Sequence, residues 1–443
     1  MFMQRQAEVD IFLTDLNGIL RGKRLPLALL EKILKEGYKM PRSVLGVDIW
    51  GDDVAANGLV FETGDSDGIC LPLPQTLSPI PWLDGKHQQM LVTMFNPDGS
   101  PFGADPRQIL QAVLQRYAKH GLTPVVAVEL EFYLFDASST HQEYPTLSPL
   151  MPRSHASQPP DSYAMHDLDN FRALLGDIRS ACDQQGIVTG PVIAEFGEGQ
   201  FEMNLAHEAD ALAAADHAIL FKRTVKAIAQ QHQHLASFMP KPFGDKSGSG
   251  FHLHFSLLDA AGNNVFDNGT PEGSDTLTQA VAGILSAMQD SMLIFAPSLN
   301  AYRRLLPDSL APVALNWGYE NRTVAVRIPD SPNEARRIEH RVAGADANPY
   351  LVLAAILAAA LHGIEQQLTP PPAYHGDTAQ DTTTQRLPSQ WLEAIQAFEN
   401  SSLMRELLGD EFARVFTAIK RQEFAKFARR VSDAEYQTYL GVL

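Results

Sequence analysis

The stretch VVAVELEFYL, residues 125–134, restricts what this chain can fold into more than any other feature. As a strand it sends Val126, Val128, Leu130 and Phe132 to one face. Ala127, Glu129, Glu131 and Tyr133 share the other. Two carboxylates about 7 Å apart along a strand repel each other and are costly to bury. That face must therefore meet water or something positive.

Other segments repeat the arrangement. IAEFGEGQFEMNL (193–205) carries Glu195 and Glu202, with Gln200, Glu202 and Asn204 alternating against Phe201, Met203 and Leu205. GSGFHLHFSL (248–257) alternates His252, His254 and Ser256 with Phe251, Leu253, Phe255 and Leu257. TVAVRIP (323–329) brings Arg327, and RRIEHRVAGADANPY (336–350) puts Glu339 and Arg341 on one face. A single E-x-E or H-x-H is usually just the solvated face of a sheet, and His254 alone could be a satisfied core histidine. Four such segments side by side in one curved sheet would instead enclose a polar cavity. Glu129, Glu131, Glu195, Glu202, Glu339 and His252 would be strongly repulsive there without cations. Carboxylate-rich sites with few imidazoles suit Mg²⁺ or Mn²⁺, and no cysteine is placed for a structural zinc site. Glu198, in a glycine-rich turn, reads as exposed.

The chain has 443 residues, 45% of them hydrophobic and 20% charged, enough for a large core and more than one domain. Its net charge of −17 argues against nucleic acid or an anionic membrane as the main partner. Most of that charge reads as a solubilising surface. The N-terminal MFMQRQAEVDIF lacks the pattern of a signal peptide, and the longest apolar run, YLVLAAILAAALHGI, is too short for a membrane span. With two cysteines, Cys70 and Cys182, there is no disulfide framework. A soluble, cytoplasmic protein is expected. No Walker A motif and no complete G-x-G-x-x-G is present, so any nucleotide would be held by metal and arginine. Arg322, Arg327, Arg336, Arg337 and Arg341 crowd one segment, and guanidinium groups suit phosphate and carboxylate oxygens.

The pattern of elements predicts an α+β fold with two domains, residues 1–103 and 104–443. The first should hold a hairpin around Asn17-Gly18, a short helix in LLEKILKEGY and a strand in MLVTMF. The second should open on a helix capped by Asp105 and Pro106. Long helices are predicted at 168–186, 208–236, 275–295, 348–367 and 390–429, and long surface loops at 137–163 and 369–390.

VELEFYLFD, GQFEMNL, FMPKPFGDKSGSGFHLHFS, LNAYRRLLP, NRTVAVRIP and ARRIEHRVAGADANPYL, in this order, resemble the glutamine synthetase family over nearly the whole chain. The subgroup most resembled joins glutamate to organic amines, as in γ-glutamylpolyamine and γ-glutamylputrescine synthetases. The resemblance implies a small β-grasp-like N-terminal domain and a catalytic domain built on a curved antiparallel half-barrel surrounded by helices. It implies two divalent metals, one held by Glu131, Glu195 and Glu202 and one by Glu129, His252 and Glu339, with ATP as co-substrate. Arg304, Arg341 and the Gly248 backbone would bind glutamate. Arg322, Arg327 and Arg337 would serve the ATP phosphates, Arg322 also the transferred phosphoryl group, with His254 and Ser256 beside the nucleotide. Asp48 would deprotonate the amine, acting across subunits of a homo-hexameric ring, single or stacked as a dodecamer.

The departures from the family pattern bear on the amine. Leu310 stands where ammonia-using members carry a flap glutamate, which favours a carbon chain over ammonium. Trp317 and Trp50 could line the amine pocket, with core packing as the alternative for each. A bulky, partly apolar amine is slightly preferred over putrescine-like diamines. Ser247 and Glu334 replace an asparagine and a lysine of the family pattern. Ordinary glutamine synthetase and a non-catalytic scaffold are the competing functions.

Overall fold

The computed structural model describes residues 7–83, 86–141, 145–148, 162–307, 309, 311–378, 381 and 383–443. Six strands make an N-terminal sheet: β1 (Glu8–Thr14), β2 (Leu20–Pro26), β3 (Tyr38–Pro41), β4 (Asp67–Pro72), β5 (Ser78–Pro79) and β6 (Gln88–Phe95). The order is β2-β1-β6-β4-β3, with β5 also on β6 and helix α1 (Leu30–Glu36) between β2 and β3. Strands β1 and β6 run parallel, which gives the sheet its grasp-like centre. The predicted hairpin forms, and the Asp15 carboxylate closes its turn by accepting from the amides of Asn17 and Ile19, each at 2.9 Å.

The second sheet carries β7 (Thr123–Asp136), β8 (Thr189–Ala194), β9 (Gln200–Leu205), β10 (His234–Ser237), β11 (Phe251–Leu258), β12 (Trp317–Tyr319), β13 (Val326–Ile328) and β14 (Ile338–His340). Its order is β12-β13-β14-β11-β7-β9-β8, with β10 paired to β7; all pairs are antiparallel except β12 with β13. Val126, Val128, Leu130 and Phe132 are buried, as the alternation requires. Phe251 lies opposite Leu130, Leu253 opposite Val128 and Phe255 opposite Val126, so the apolar face continues across strands.

Helices α2 (Pro106–Lys119) and α5 (Ala211–Gln231) pack on the sheet, α8 (Pro349–Glu365) packs on both of them, and α6 (Asp275–Phe295) packs on α8. Helix α8 is the apolar run noted above. It is buried along almost its whole length, and no described helix is long and apolar enough to cross a membrane. The helix predicted at 168–186 divides at Phe171 into α3 (Met165–Asn170) and α4 (Arg172–Gln184). After the short α7 (Ala301–Arg304), the helix predicted at 390–429 appears as α9 (Trp391–Asn400), α10 (Ser402–Leu408) and α11 (Asp410–Ala428). Ser401 caps the second piece, and Gly409 at φ 100° separates it from the third. Helix α12 (Asp433–Tyr439) follows. Most of the loop predicted at 137–163 lies outside the described residues. The described residues of the loop predicted at 369–390 are tied down: Tyr374 N donates to Trp317 O at 2.7 Å and Leu387 N to Val313 O at 3.0 Å. Thr378, Asp381 and Leu387 within it are buried.

Asp105 joins the N-terminal sheet to the helical layer. Its carboxylate accepts from Thr93 Oγ1 (2.9 Å) and Met94 N (2.7 Å) at the end of β6, and from Arg107 N (2.8 Å) in the first turn of α2. Asp105→Ala leaves these buried donors without a partner and should cost about 2–3 kcal/mol. The expected result is a lower thermal midpoint with unchanged far-UV circular dichroism. An unshifted midpoint would show that the junction does not depend on this cap.

Candidate active site

Strand register assembles the polar stripe. Glu131 lies opposite Glu202, Glu129 opposite both Asn204 and His252, His254 opposite Glu339, and Glu339 opposite Arg327. The stripe thus crosses β9, β7, β11, β14 and β13, and directly paired residues project to the same side of a sheet.

Glu129 is the central carboxylate. Asn204 Nδ2 donates to its Oε1 at 3.0 Å, His254 Nε2 lies 3.0 Å from the same oxygen, and His252 Nδ1 lies 3.4 Å from Oε2. Burial alone would raise the Glu129 pKa; His252 and His254 outweigh it and hold the group ionised. Arg337 Nε donates to His254 Nδ1 at 3.3 Å. Glu339 accepts from Arg327 at 2.8 Å and pairs with Arg341 on its other oxygen. Burial opposes ionisation here too, but the arginines and histidines bring its pKa to about 2. Glu131 Oε2 accepts from Gln200 Nε2 and from the Gly250 amide, both at 2.9 Å.

The other two glutamates respond in the opposite direction. Burial first, then Glu129 and Glu131, push Glu202 up to about 9. Burial first, then Glu131, push Glu195 up to about 7. These are carboxylates short of positive charge. Ligand oxygens and nitrogens of Glu129, Glu202 and His252 lie within 4.8 Å of one another, as do those of Glu129, His254 and Glu339. Either trio could hold a cation, and Glu129 belongs to both.

The G-S-G turn closes one end of the stripe. A Cβ on Gly248 would meet Pro240 O at 2.6 Å and Arg304 Cγ at 2.7 Å. One on Gly250 would meet Arg304 at 2.8 Å and His252 Nε2 at 2.9 Å. Only glycine lets the backbone lie this close to the arginine and the histidine. Arg304 is itself buried and donates to Val342 O at 2.9 Å. Ser256 extends the stripe along β11. Arg341 is buried and donates through Nε to Arg322 O at 3.1 Å, while the Arg322 side chain is exposed and attracts Glu195.

Three residues named for the amine lie elsewhere or beyond description. Leu310 is outside the described residues. Trp317 is buried, its indole N–H donating to Pro371 O at 2.7 Å. Trp50 is partly exposed and packs on Phe427 in a tilted pair with ring centres 5.1 Å apart, with Lys426 and Arg430 over its ring. Asp48 is buried beside it: its Oδ1 accepts from the amides of Trp50 and Asp52 at 3.0 Å, and its Oδ2 from Gln422 at 2.9 Å and from Lys426. Burial would raise its pKa, but Lys426 and Gln422 lower it below the ordinary value. Glu198 is half-buried and pairs with Lys246 at 2.7 Å instead of standing exposed. Sequence reasoning gave no role to Gln200 and Asn204, although Q-x-E-x-N alternation had put both amides on the polar face. It also passed over Glu320, which pairs with Arg327 from outside the stripe.

A curved sheet bearing this stripe, with residues 103–439 matching the glutamine synthetase catalytic domain, places the chain in the glutamine synthetase family, as an enzyme that forms carbon–nitrogen bonds. Among its relatives, γ-glutamylputrescine synthetase of Escherichia coli strain K12 is 39% identical over 98% of this chain and 91% of that protein. Glutamate–isopropylamine ligase of a Pseudomonas species is 32% identical over 97% of this chain and 94% of that protein. The solved ADP complex of GmaS superposes with a TM-score of 0.86 at 29% identity, covering 98% of this chain and 97% of the other.

The raised carboxylates give a pH signature. Folded, Glu202 and Glu195 keep protons that the unfolded chain releases above the ordinary glutamate value of 4.5. Their contribution therefore weakens folding as pH rises from about 4.5 through 9. Glu202→Gln should raise the metal-free thermal midpoint more at pH 8 than at pH 5. Saturating Mn²⁺ should stabilise wild type more than the variant at pH 8. Equal shifts at both pH values would mean that Glu202 ionises freely.

Proposed function

We propose that the chain joins the γ-carboxylate of glutamate to an organic amine, using ATP and passing through γ-glutamyl phosphate. The observation that carries this reading is the division of one sheet-borne stripe into a carboxylate-rich half and an arginine-rich half, side by side. The donor set fits hard divalent cations: it is mostly carboxylate, it has two histidines, and two of its glutamates are pushed toward protonation for want of a counter-charge. By the family resemblance Glu131, Glu195 and Glu202 would hold one ion, and Glu129, His252 and Glu339 the other, a division that differs from the two trios whose donor atoms lie together here, Glu129 with Glu202 and His252 and Glu129 with His254 and Glu339. Mg²⁺ or Mn²⁺ bound there would neutralise phosphate oxygens.

The protein's own groups do the rest. Arg304 and Arg341 grip the carboxylate of glutamate, and the Gly248 backbone lies near its amino group. Arg327 and Arg337 orient the phosphates, with His254 and Ser256 beside the nucleotide. A γ-carboxylate oxygen of glutamate attacks the γ-phosphorus; the bond to the bridging oxygen breaks and ADP leaves. Arg322 offsets the charge on the transferred phosphoryl group. The amine nitrogen then attacks the acyl carbon, and phosphate departs. An ammonium ion has no free electron pair, so a carboxylate must first take its proton, and Asp48 is assigned that task. In the single chain its partners lie in its own turn and on α11, and none lies on the stripe. By the family resemblance, Asp48 would serve the stripe of a neighbouring subunit in a homo-hexameric ring, single or stacked as a dodecamer. The relatives that act on putrescine and isopropylamine support an organic amine over ammonia.

Phosphate release from ATP, with glutamate and Mg²⁺ or Mn²⁺, tests this across ammonia, 1,4-diaminobutane, spermidine, methylamine, isopropylamine and phenethylamine. Turnover with an organic amine well above that with ammonia is expected. Best turnover with ammonia would make the enzyme a glutamine synthetase, and silence with metal bound would make it a non-catalytic scaffold. The subunit arrangement has its own test. Asp48→Asn and Glu339→Gln should each abolish turnover, and co-expression of the two should restore roughly a quarter of wild-type activity if subunits mix at random in a closed ring. No restoration would place Asp48 in the same subunit as its site.

A further inference from the structure

Three parts of the site meet at Gln200. The residue opens β9 after a glycine-rich turn and is 2% exposed. Its side-chain nitrogen donates to Glu131 Oε2 at 2.9 Å and to Gly248 O at 3.0 Å. Its side-chain oxygen accepts from Gly197 N at 3.0 Å. Both N–H hydrogens and the carbonyl are thus in use, which is what burial of an amide requires. Its backbone carbonyl accepts from Glu195 N at 2.9 Å, so the same residue fixes the chain that carries Glu195.

The surroundings hold this amide in place. A Cβ on Gly197 would overlap Tyr133 Oη and lie 2.6 Å from Gln200 Oε1, so only glycine lets the turn seat on these two side chains. Tyr133 ties the same loop one residue before Gly248, its hydroxyl donating to Ser247 O at 2.6 Å. Glu131 Oε2 accepts from Gly250 N at 2.9 Å as well as from Gln200, while among the described residues no donor reaches Oε1. Two donors therefore aim this carboxylate, and the remaining oxygen is the one open to a cation. Gln200 carries no charge and belongs to neither trio of candidate cation ligands. What an amide offers here is two hydrogens in one rigid plane, serving two acceptors at once.

We infer that Gln200 is a positioning residue that couples the cation at Glu131 to the glutamate on the G-S-G turn. This rests on the ligase reading above, in which Glu131 holds a divalent ion and the Gly248 backbone lies near the amino group of glutamate. The planar amide keeps Glu131 Oε2 and Gly248 O at a fixed separation. A cation on Oε1 fixes the carboxylate, the carboxylate fixes the amide, and the amide fixes the direction of the Gly248 carbonyl. That carbonyl then needs no rearrangement when an ammonium group docks on it. Such coupling is reciprocal: the cation tightens glutamate by the factor by which glutamate tightens the cation.

Calorimetric titration of glutamate into the full-length protein, without Mn²⁺ and with saturating Mn²⁺, tests this. The ratio of the two Kd values is read in wild type, Gln200→Met, Gln200→Glu and Tyr133→Phe. Methionine keeps the length of the side chain and lacks both hydrogens. The second variant keeps the acceptor for Gly197 N as well, and so guards against misfolding of the turn. Tyr133→Phe frees the same loop at Ser247 O without touching Glu131, and reports what a loosened loop does by itself. Mn²⁺ should tighten glutamate about tenfold in wild type and in Tyr133→Phe, and less than about twofold in both Gln200 variants. A wild-type ratio near one, a ratio that survives in either Gln200 variant, or an equal loss in Tyr133→Phe would overturn the inference. If wild type with Mn²⁺ binds no glutamate, the ligase reading and the inference fall together. If the coupling is found and no amine supports turnover, the ligase reading alone fails.

Discussion

The structure depends on the repulsion among carboxylates placed on one face of one sheet. Strand pairing forces Glu131 against Glu202 and sets Glu129 between Asn204 and His252, so these groups cannot move apart without breaking backbone ladders. The chain answers the repulsion unevenly. Glu339 is held ionised between Arg327 and Arg341, and Glu129 between two histidines. Glu195 and Glu202 receive no comparable help and are pushed toward their neutral forms. A fold that leaves this imbalance standing stores free energy that a bound cation would recover.

Keeping such a stripe in place requires a stiff frame. The apolar faces of β7 and β11 are buried, with α2 and α5 packed on β7 and α8 behind those helices, so the register that aligns the carboxylates is also the register that fills the core. A slip by one residue would turn the glutamates into the apolar core and the phenylalanines onto the charged face. Arg107 adds a second tie by reaching from α2 to Asp216 on α5 with two hydrogen bonds, at 2.9 and 3.0 Å. Tyr350 on α8 donates to the same carboxylate at 2.6 Å. Three helices behind the sheet are thus joined by one fully paired buried acid, whereas Glu195 and Glu202 in front of it lack such partners.

Much of this was legible in the sequence because a strand's period of two is short and local. The alternations around Glu129, Glu202, His254 and Arg327 each needed only a handful of residues to read, and each strand forms. The pairings between them were not legible, because register joins residues far apart in the chain. Nothing local to Asp48 announces that Lys426, 378 positions away, will hold it. Glu320 escaped for the opposite reason. Turns are read from glycine and asparagine, and here a glutamate takes the left-handed position. The helix expected at 390–429 also shows what a periodic pattern conceals: amphipathic spacing runs on through Ser401 and Gly409, where the backbone does not.

Charge along the stripe is graded as well as dense. Reading across the strands from β9 through β7 and β11 to β14 and β13, the groups change from Glu202 and Glu131, through Glu129 with His252 and His254, to Glu339 with Arg327. One end attracts cations and the other anions, and the histidine-flanked middle tolerates either. A ligand with negative oxygens would set them over the arginine end and lean its remaining charge on cations bound at the carboxylate end. Proteins that bind triphosphates through a glycine loop place the anion at one helix terminus. This sheet spreads its charged groups over five strands, so every strand must hold its register. The core beneath the stripe is large and mostly apolar, because stability must come from behind the sheet when the carboxylates in front oppose it.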